Sequence, residues 1–340
     1  MPTIKDVAQR AGVSPTTVSY VLNKSRFVSP ETEARVRQAI KELNYQPDHV
    51  ARSLRAKRTM TVGMLVSDIA NPFYADVVRG AQDVLSDKHY SLILCNTDEA
   101  PERELSTLQV LIQKKVDGLI VVATGANVEP LREASNAGIS IVLVDRQLPG
   151  NWLDTVLVDD ERGAYEAVWH LLQLGHRQIG AIIGKIGIST TDNRRRGYEA
   201  ALRDFGVPVD PALIQTGHST IQGGIAAAHA LLDHRPRPTA IFAANNLMTV
   251  GVFLALKERG LRCPEDLAVV GFDDMVWLSA FTPGLTTVAQ PNYELGKRAA
   301  ELLLDRLTGH PPESPRLVTL PPKLIVRESC GHHLHRAIAG

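Results

Sequence analysis

Cysteine is scarce in this chain: Cys95, Cys263 and Cys330 are the only three in 340 residues. They stand far apart, with no CxxC or other metal-ligand spacing. That pattern argues against a disulfide-framed scaffold or a zinc ribbon and leaves reduced core or surface thiols. No apolar run approaches the roughly 20 residues that span a bilayer. The N-terminus enters a helix signal directly, without a charged and then apolar leader, so the expected location is the cytoplasm and no membrane partner is expected. No P-loop, GxSxG or HExxH occurs, which removes the commonest signatures of phosphate cradles, serine nucleophiles and zinc hydrolases. His332, His333 and His335 lie in a polar C-terminal end and read as a tail rather than a metal site; no metal and no cofactor is expected. Net charge is absent as well, with 37 Lys+Arg against 37 Asp+Glu, but only globally. Residues 1–58 hold 11 basic against 5 acidic residues, +6, which leaves 26 against 32, −6, for residues 59–340. The N-terminal excess suits an anionic polymer as partner.

The basic segment opens with TIKDVAQRAGVSPTTVSYVLN, residues 3–23. Thr3 and Asp6 stand at capping-box spacing, with Asp in place of the more usual Glu, and Ile4, Val7, Ala8 and Ala11 share one helical face. Gly12 supplies a turn with positive φ, and Ser14-Pro15 is a cap followed by an N1 proline. In the second helix Val18, Val21 and Leu22 form the buried stripe. Pro15, Thr16, Thr17, Ser19, Tyr20 and Asn23 point outward, as a recognition helix presents itself to the major groove. On these residues alone, any αα-hairpin with a polar outer face remains an alternative. Ser29-Pro30-Glu31 opens a third helix, with Val36, Ala39, Ile40 and Leu43 on one face, and Asn44-Tyr45-Gln46-Pro47 ends it.

The succession TIKDVA, AGVS, TVSYVLN, VSPET, LNYQP, ARSL resembles the N-terminal domain of the lactose-repressor (LacI/GalR) family of bacterial transcription regulators, and the likeness continues to the end of the chain. The resemblance implies a repressor that binds a palindromic double-stranded operator as a homodimer and answers to a small effector, frequently a sugar or sugar derivative and sometimes a purine. Thr16, Thr17 and Tyr20 become base-edge candidates. Thr3, Ser14, Pro15, Ser19 and Asn23 join them as DNA-contact residues, Ser14 and Asn23 on phosphates or caps. Relatives often carry arginine where this chain has Tyr20, which would favour guanine through bidentate bonds, so the half-site preference does not carry over. Residues 48–58 read as a short basic helix. In the family this is the hinge helix, whose leucine wedges into a minor-groove base step; Leu54 matches it, flanked by Arg52 and Arg55.

From residue 61 short apolar runs (TVGMLV, SLILC, GLIVV, SIVLV, IGAII, TAIFAA, LAVVGF) alternate with amphipathic helices. Such runs indicate parallel sheets covered on both faces, enough for two doubly wound sheets. The layout resembles the α/β type I periplasmic binding proteins, whose chain crosses between two lobes three times, here near 160, 290 and 320. The expected domains are a helix-turn-helix head, 1–47, and a hinge and linker, 48–60. An effector-binding and dimerisation domain follows over 61–330, and then a tail, 331–340. Lobe 1 takes about 61–160 plus 291–320, and lobe 2 about 161–290 plus 321–330.

Strand exits carry the ligand candidates: Phe73, Tyr74, Asp145, Arg194, Asn245 and Asp273. The resemblance assigns Arg194, placed as in RxxGY, and Asp273, from GFDD, to the effector. A guanidinium can donate to a hydroxyl and a ring oxygen while a carboxylate accepts from two adjacent hydroxyls, so a polyol fits the pair. Plainer roles also fit: Asp273 as a helix cap, Arg194 as part of a solvated face, Phe73 as core. The aromatic that many relatives stack on the ligand near residue 219 is replaced by His218 and Ser219. Either Trp277 supplies an aromatic wall, or the effector is less ring-like. Two rival functions remain, a sugar-binding uptake module and a sugar-modifying enzyme. The first lacks an export signal, and the second lacks a nucleophile, metal set or cofactor loop, so no enzyme activity is expected.

Overall fold

The structure, a computed structural model, describes residues 2–24, 26–45, 58–309 and 313–332. Two compact units divide the chain, Met1–Thr59 and Met60–Gly340. Of the hinge helix expected over 48–58, residues 48–57, with Arg52, Leu54 and Arg55, lie outside the described residues, as do His333 and His335.

In the first unit, α1 (Ile4–Ala11), α2 (Pro15–Asn23) and α3 (Pro30–Glu42) enclose a core of Val7, Ala8, Ala11, Val18, Val21, Val36 and Ala39. The Thr3–Asp6 capping box is reciprocal: the Thr3 N–H donates to Asp6 Oδ2 at 2.7 Å, and the Asp6 N–H donates back to Thr3 Oγ1 at 3.4 Å. Gly12 ends α1 with φ 65°, in the left-handed region. Ser14 and Ser29 cap α2 and α3, each followed by proline. Leu22, Ile40 and Leu43 are half-buried at the rim of the core, because three short helices cannot enclose every apolar side chain.

The second unit holds two six-stranded sheets of orders β11-β5-β4-β3-β1-β2 and β12-β10-β9-β8-β6-β7. The first contains β1 (Thr61–Val66), β2 (Ser91–Asn96), β3 (Gly118–Val121), β4 (Ser140–Val144), β5 (Asp154–Val158) and β11 (Leu317–Leu320). The second contains β6 (Ile179–Ile183), β7 (Ile214–Thr216), β8 (Ala240–Ala243), β9 (Ala268–Phe272), β10 (Thr286–Ala289) and β12 (Lys323–Ile325). All pairs run parallel except β10 with β12. Alternation explains the uninterrupted apolar runs. Leu65, Leu119, Val121, Ile141 and Leu143 face one core, while Met64, Val66, Ile120, Val142 and Val144 face another.

Helices cover both faces: α4 (Pro72–Asp87), α5 (Pro101–Gln113), α6 (Val128–Asn136), α7 (Asp160–Gln173), α8 (Ser189–Asp204), α9 (Ile221–Asp233), α10 (Asn246–Glu258) and α11 (Asn292–Leu307). The chain passes between the sheets after β5, after β10 and between β11 and β12. Helix α11 returns to the first sheet and crosses α4 backbone to backbone, where a Cβ on Gly296 would lie 1.8 Å from the Val77 carbonyl oxygen. Asp154, fully buried, ties β5 to this return: it receives Arg306 Nη2 at 2.6 Å and Arg316 Nη2 at 2.9 Å. Burial works against its charge, but the two guanidiniums hold its carboxyl below the usual range.

No helix among the described residues is long and apolar enough to cross a membrane. The C-terminal histidines are less isolated than their sequence suggests. Cys330 Sγ, two residues before His332, lies 3.8 Å from its Nδ1, and the fold adds His170, whose Nε2 is 3.3 Å from the same sulfur. Among the described residues no group of three side chains is arranged to hold a metal.

Candidate functional site

In the helical unit, α2 presents its N-terminal turn to solvent. Pro15, Thr16 and Asn23 are exposed, while Thr17, Ser19 and Tyr20 are half-buried. Several polar groups are already engaged. Ser14 Oγ accepts the Thr17 N–H at 3.1 Å and lies 2.9 Å from the Thr17 hydroxyl. Asn23 Nδ2 donates to the Ser19 carbonyl at 2.9 Å. The Tyr20 ring has the Arg26 guanidinium 5.4 Å from its centre, so a cation stands beside the position where arginine is missing.

In the α/β unit, strand ends of both sheets border a cavity of about 590 Å³. Phe73, Tyr74, Asp145, Arg194, Asn245 and Asp273 all line it. Asp145 follows β4 and Asp273 follows β9, with φ of 70° and 74°, left-handed conformations uncommon outside glycine. Each N–H is fixed by the neighbouring strand, Asp145 to Val156 O and Asp273 to Val288 O, both at 2.9 Å.

On the first wall, Tyr74 OH donates to Asp145 Oδ2 at 3.2 Å and lies 2.8 Å from Ser67 Oγ. Burial drives the Tyr74 phenol far above its usual range, with Asp145 adding to it. Burial also raises the Asp145 carboxyl, against the pull of Arg146 and Arg194. Arg146, 8% exposed, forms a bidentate pair with Glu99, with Nη1–Oε2 at 2.9 Å, and donates to the Ala123 carbonyl. Its Nε–H has no hydrogen-bond partner and stands 3.7 Å from Asp145 Oδ2.

On the second wall, Arg194 is no solvated face. It is 7% exposed, donates from Nε to Asp160 and from Nη1 to the Ala244 carbonyl, both at 2.7 Å, and its guanidinium lies 3.8 Å from the Phe272 ring centre. Burial pushes the Asp160 carboxyl up to about 7 against the pull of Arg194. Asp273 accepts from the Asn246 N–H at 3.1 Å and from Gln290 Nε2, so it does bond a helix N-terminus, that of α10. Asn245 Oδ1 caps the same helix through Met248 N at 2.8 Å. Phe73 packs edge-on against Tyr74 with ring centres 4.9 Å apart.

Trp277 stands apart from the other candidates. It sits in the 3-10 turn Val276–Ala280 and lines a separate apolar hollow of about 290 Å³, edge-on to Phe281. Asp274 is anchored on the far side of Asp273. It is held by Arg327 at 2.7 and 2.9 Å and by the Thr287 hydroxyl at 2.7 Å. The residues near 219 do reach the cavity, as His218 and Ser219, so that wall is polar.

Sequence reasoning missed Ser67, Asn71, Glu99, Arg146, Thr190 and Thr191, which also line the cavity. Arg146 and Glu99 carried little signal, standing two and four residues past the runs IVLV and SLILC, where Asp145, Asn245 and Asp273 follow their runs at once. The threonines open a helix and had none.

A family model described as "Bacterial regulatory proteins, lacI family" matches residues 3–48, and one described as "Periplasmic binding protein-like domain" matches residues 168–330. The HTH-type transcriptional repressor PurR of Yersinia pestis is 39% identical over 331 residues, 97% of each chain. Among solved structures, the Lac repressor dimer bound to operator and the anti-inducer ONPF is similar with a TM-score of 0.84 and 27% identity, covering 97% of this chain and 99% of that one. The transcriptional regulator CelR in complex with cellobiose is similar with a TM-score of 0.75 and 34% identity, covering 97% and 100%.

Proposed function

The chain belongs to the lacI family of bacterial regulatory proteins, DNA-binding transcriptional repressors under small-molecule control, and on that premise we propose that its effector is an uncharged sugar or sugar-like polyol. One observation carries this reading: the Arg146 guanidinium and the Asp145 carboxylate stand side by side in the cavity lining. A hydroxyl accepts from the first and donates to the second. Asp273 and Arg194 offer the same pairing from the facing wall. Five carboxylates (Asp68, Asp98, Glu99, Asp145, Asp273) line the cavity against two guanidiniums, both already paired, which disfavours anions such as sugar phosphates. Cellobiose in the CelR complex supports the sugar class.

In this reading the head, 1–47, reads each operator half-site through Thr16, Thr17 and Tyr20. Thr3, Ser14, Pro15, Ser19 and Asn23 fix its register. Residues 48–60 join it to the effector domain, 61–330, and contribute Arg52, Leu54 and Arg55 to the minor groove. The assembly is a homodimer working on a palindrome in the cytoplasm, and the cleft binds without turning its ligand over. The ligand acts through its differential affinity for two lobe arrangements.

The test is a thermal-shift panel of sugars, polyols, sugar phosphates and nucleobases on the wild type and on Asp273→Ala. A ligand at 100 times its Kd adds about 2.7 kcal/mol of stability. A neutral sugar hit abolished by the substitution supports the reading; a nucleobase or phosphate hit, or one that survives the substitution, refutes it.

A further inference from the structure

The two lobes touch beside the cavity through uncharged side chains. Asn246 opens α10 in lobe 2, and its Nδ2 donates to Asn71 Oδ1 in lobe 1 at 2.8 Å. The same oxygen accepts the Phe73 N–H at 3.1 Å and so caps α4, the helix that carries Tyr74 to Asp145. From its other end Asn246 donates its backbone N–H to Asp273 at 3.1 Å. Hydrogen bonds through Asn246, Asn71 and Tyr74, joined by the first turn of α4, thus connect the two strained aspartates across the cleft. Asn246 is 8% exposed and borders the apolar hollow behind Asp273, whereas Asn71 and Asp273 line the cavity itself.

We propose that Asn246 is a positioning residue: by latching the cap of α4 it holds the cleft closed before any ligand arrives, so that Asp145 and Asp273 already stand at their working separation. The latch carries no charge, so its strength is insensitive to salt and to pH over the neutral range. Breaking one neutral hydrogen bond lowers the closed-to-open ratio by about fivefold. A ligand that binds only the closed form then binds more weakly in proportion to the lost closed fraction, by about fivefold at most.

The experiment measures the lobe separation directly by pulsed electron paramagnetic resonance. Spin labels are attached through ketone-bearing residues at Ile69 and Ile186, exposed positions of lobe 1 and lobe 2. The full chain is used without ligand or DNA and diluted with unlabelled chain, so the effector class plays no part in the outcome. Asn71→Ser keeps a helix cap but is too short to reach Asn246. Asn246→Ala removes the donor from the other side, and Asn71→Asp retains an acceptor oxygen. The first two variants are expected to move population to longer distances while Asn71→Asp keeps the wild-type distribution. Unchanged distances in both breaking variants overturn the proposal, as does opening in only one of them or in Asn71→Asp as well. Circular dichroism checks that each variant folds; if Asn246→Ala does not, Asn71→Ser decides alone.

Discussion

Arg194→Ala is the most informative perturbation of the cleft. The side chain is almost fully buried and bonds Asp160 and the Ala244 carbonyl, both at 2.7 Å. Truncation leaves Asp160, itself 2% exposed, without its cation. Removing one partner of a buried ion pair costs about 3–5 kcal/mol. The Ala244 carbonyl borders the cavity, so water entering the vacated space keeps its contribution small. The expected loss at pH 8 is about 4 kcal/mol. The loss should also depend on pH, with a sign that follows from the proton count. Burial already pushes Asp160 up to about 7, above the ordinary 3.8, and loss of Arg194 raises it further. The folded variant then holds one more proton than the unfolded chain, and its stability falls by about 1.4 kcal/mol per unit of rising pH. Wild type shares this decline only up to about pH 7, where its own Asp160 has ionised. The assay is urea unfolding followed by tryptophan fluorescence. Trp152, Trp169 and Trp277 all lie beyond residue 60, so the signal reports the α/β unit alone. Adding Asp160→Asn should recover most of the loss and flatten the pH dependence. A loss below about 1 kcal/mol, the level of an exposed pair, would refute the buried-pair argument, and so would a loss independent of pH.

Gly296→Ala places a methyl against the Val77 backbone at the α4–α11 crossing and should lower stability by about 1–3 kcal/mol or more, read by the same unfolding assay. Ser14→Ala removes the cap of α2 and should cost the helical unit about 1 kcal/mol, read as faster amide exchange at Val18 and Val21. Trp277→Ala should leave the ligand-induced thermal shift intact; loss of the shift would return Trp277 to the site.

The helical unit was legible because its signals are local: the Thr3–Asp6 box, Gly12, the Ser14-Pro15 and Ser29-Pro30 starts. The central strands were legible because burial on both faces leaves no polar position in IVLV or AIFA. Strands β5, β7, β10, β11 and β12 escaped. They are short, begin or alternate with polar residues, and owe their pairing to long-range ties such as Asp154 with Arg306 and Arg316. In the cleft, strand exits pointed to Asp145 and Asp273, which line the cavity. Trp277 lies beyond the Asp274–Arg327 pair, which spans 53 positions of sequence, and no local pattern records it. Glu99 and Arg146 read as ordinary charged loop residues until the fold joins them.

Asp145 and Asp273 are twins. Each leaves its sheet through the same left-handed step, each is pinned by the adjoining strand, and they look at one another across the cavity. A molecule gripped between identical jaws has no preferred direction. Polarity then comes from the unlike neighbours, Tyr74 and Arg146 on the wall of one aspartate and Arg194 on the wall of the other. Exchanging those neighbours, with the aspartates left alone, is the way to turn a bound molecule end for end.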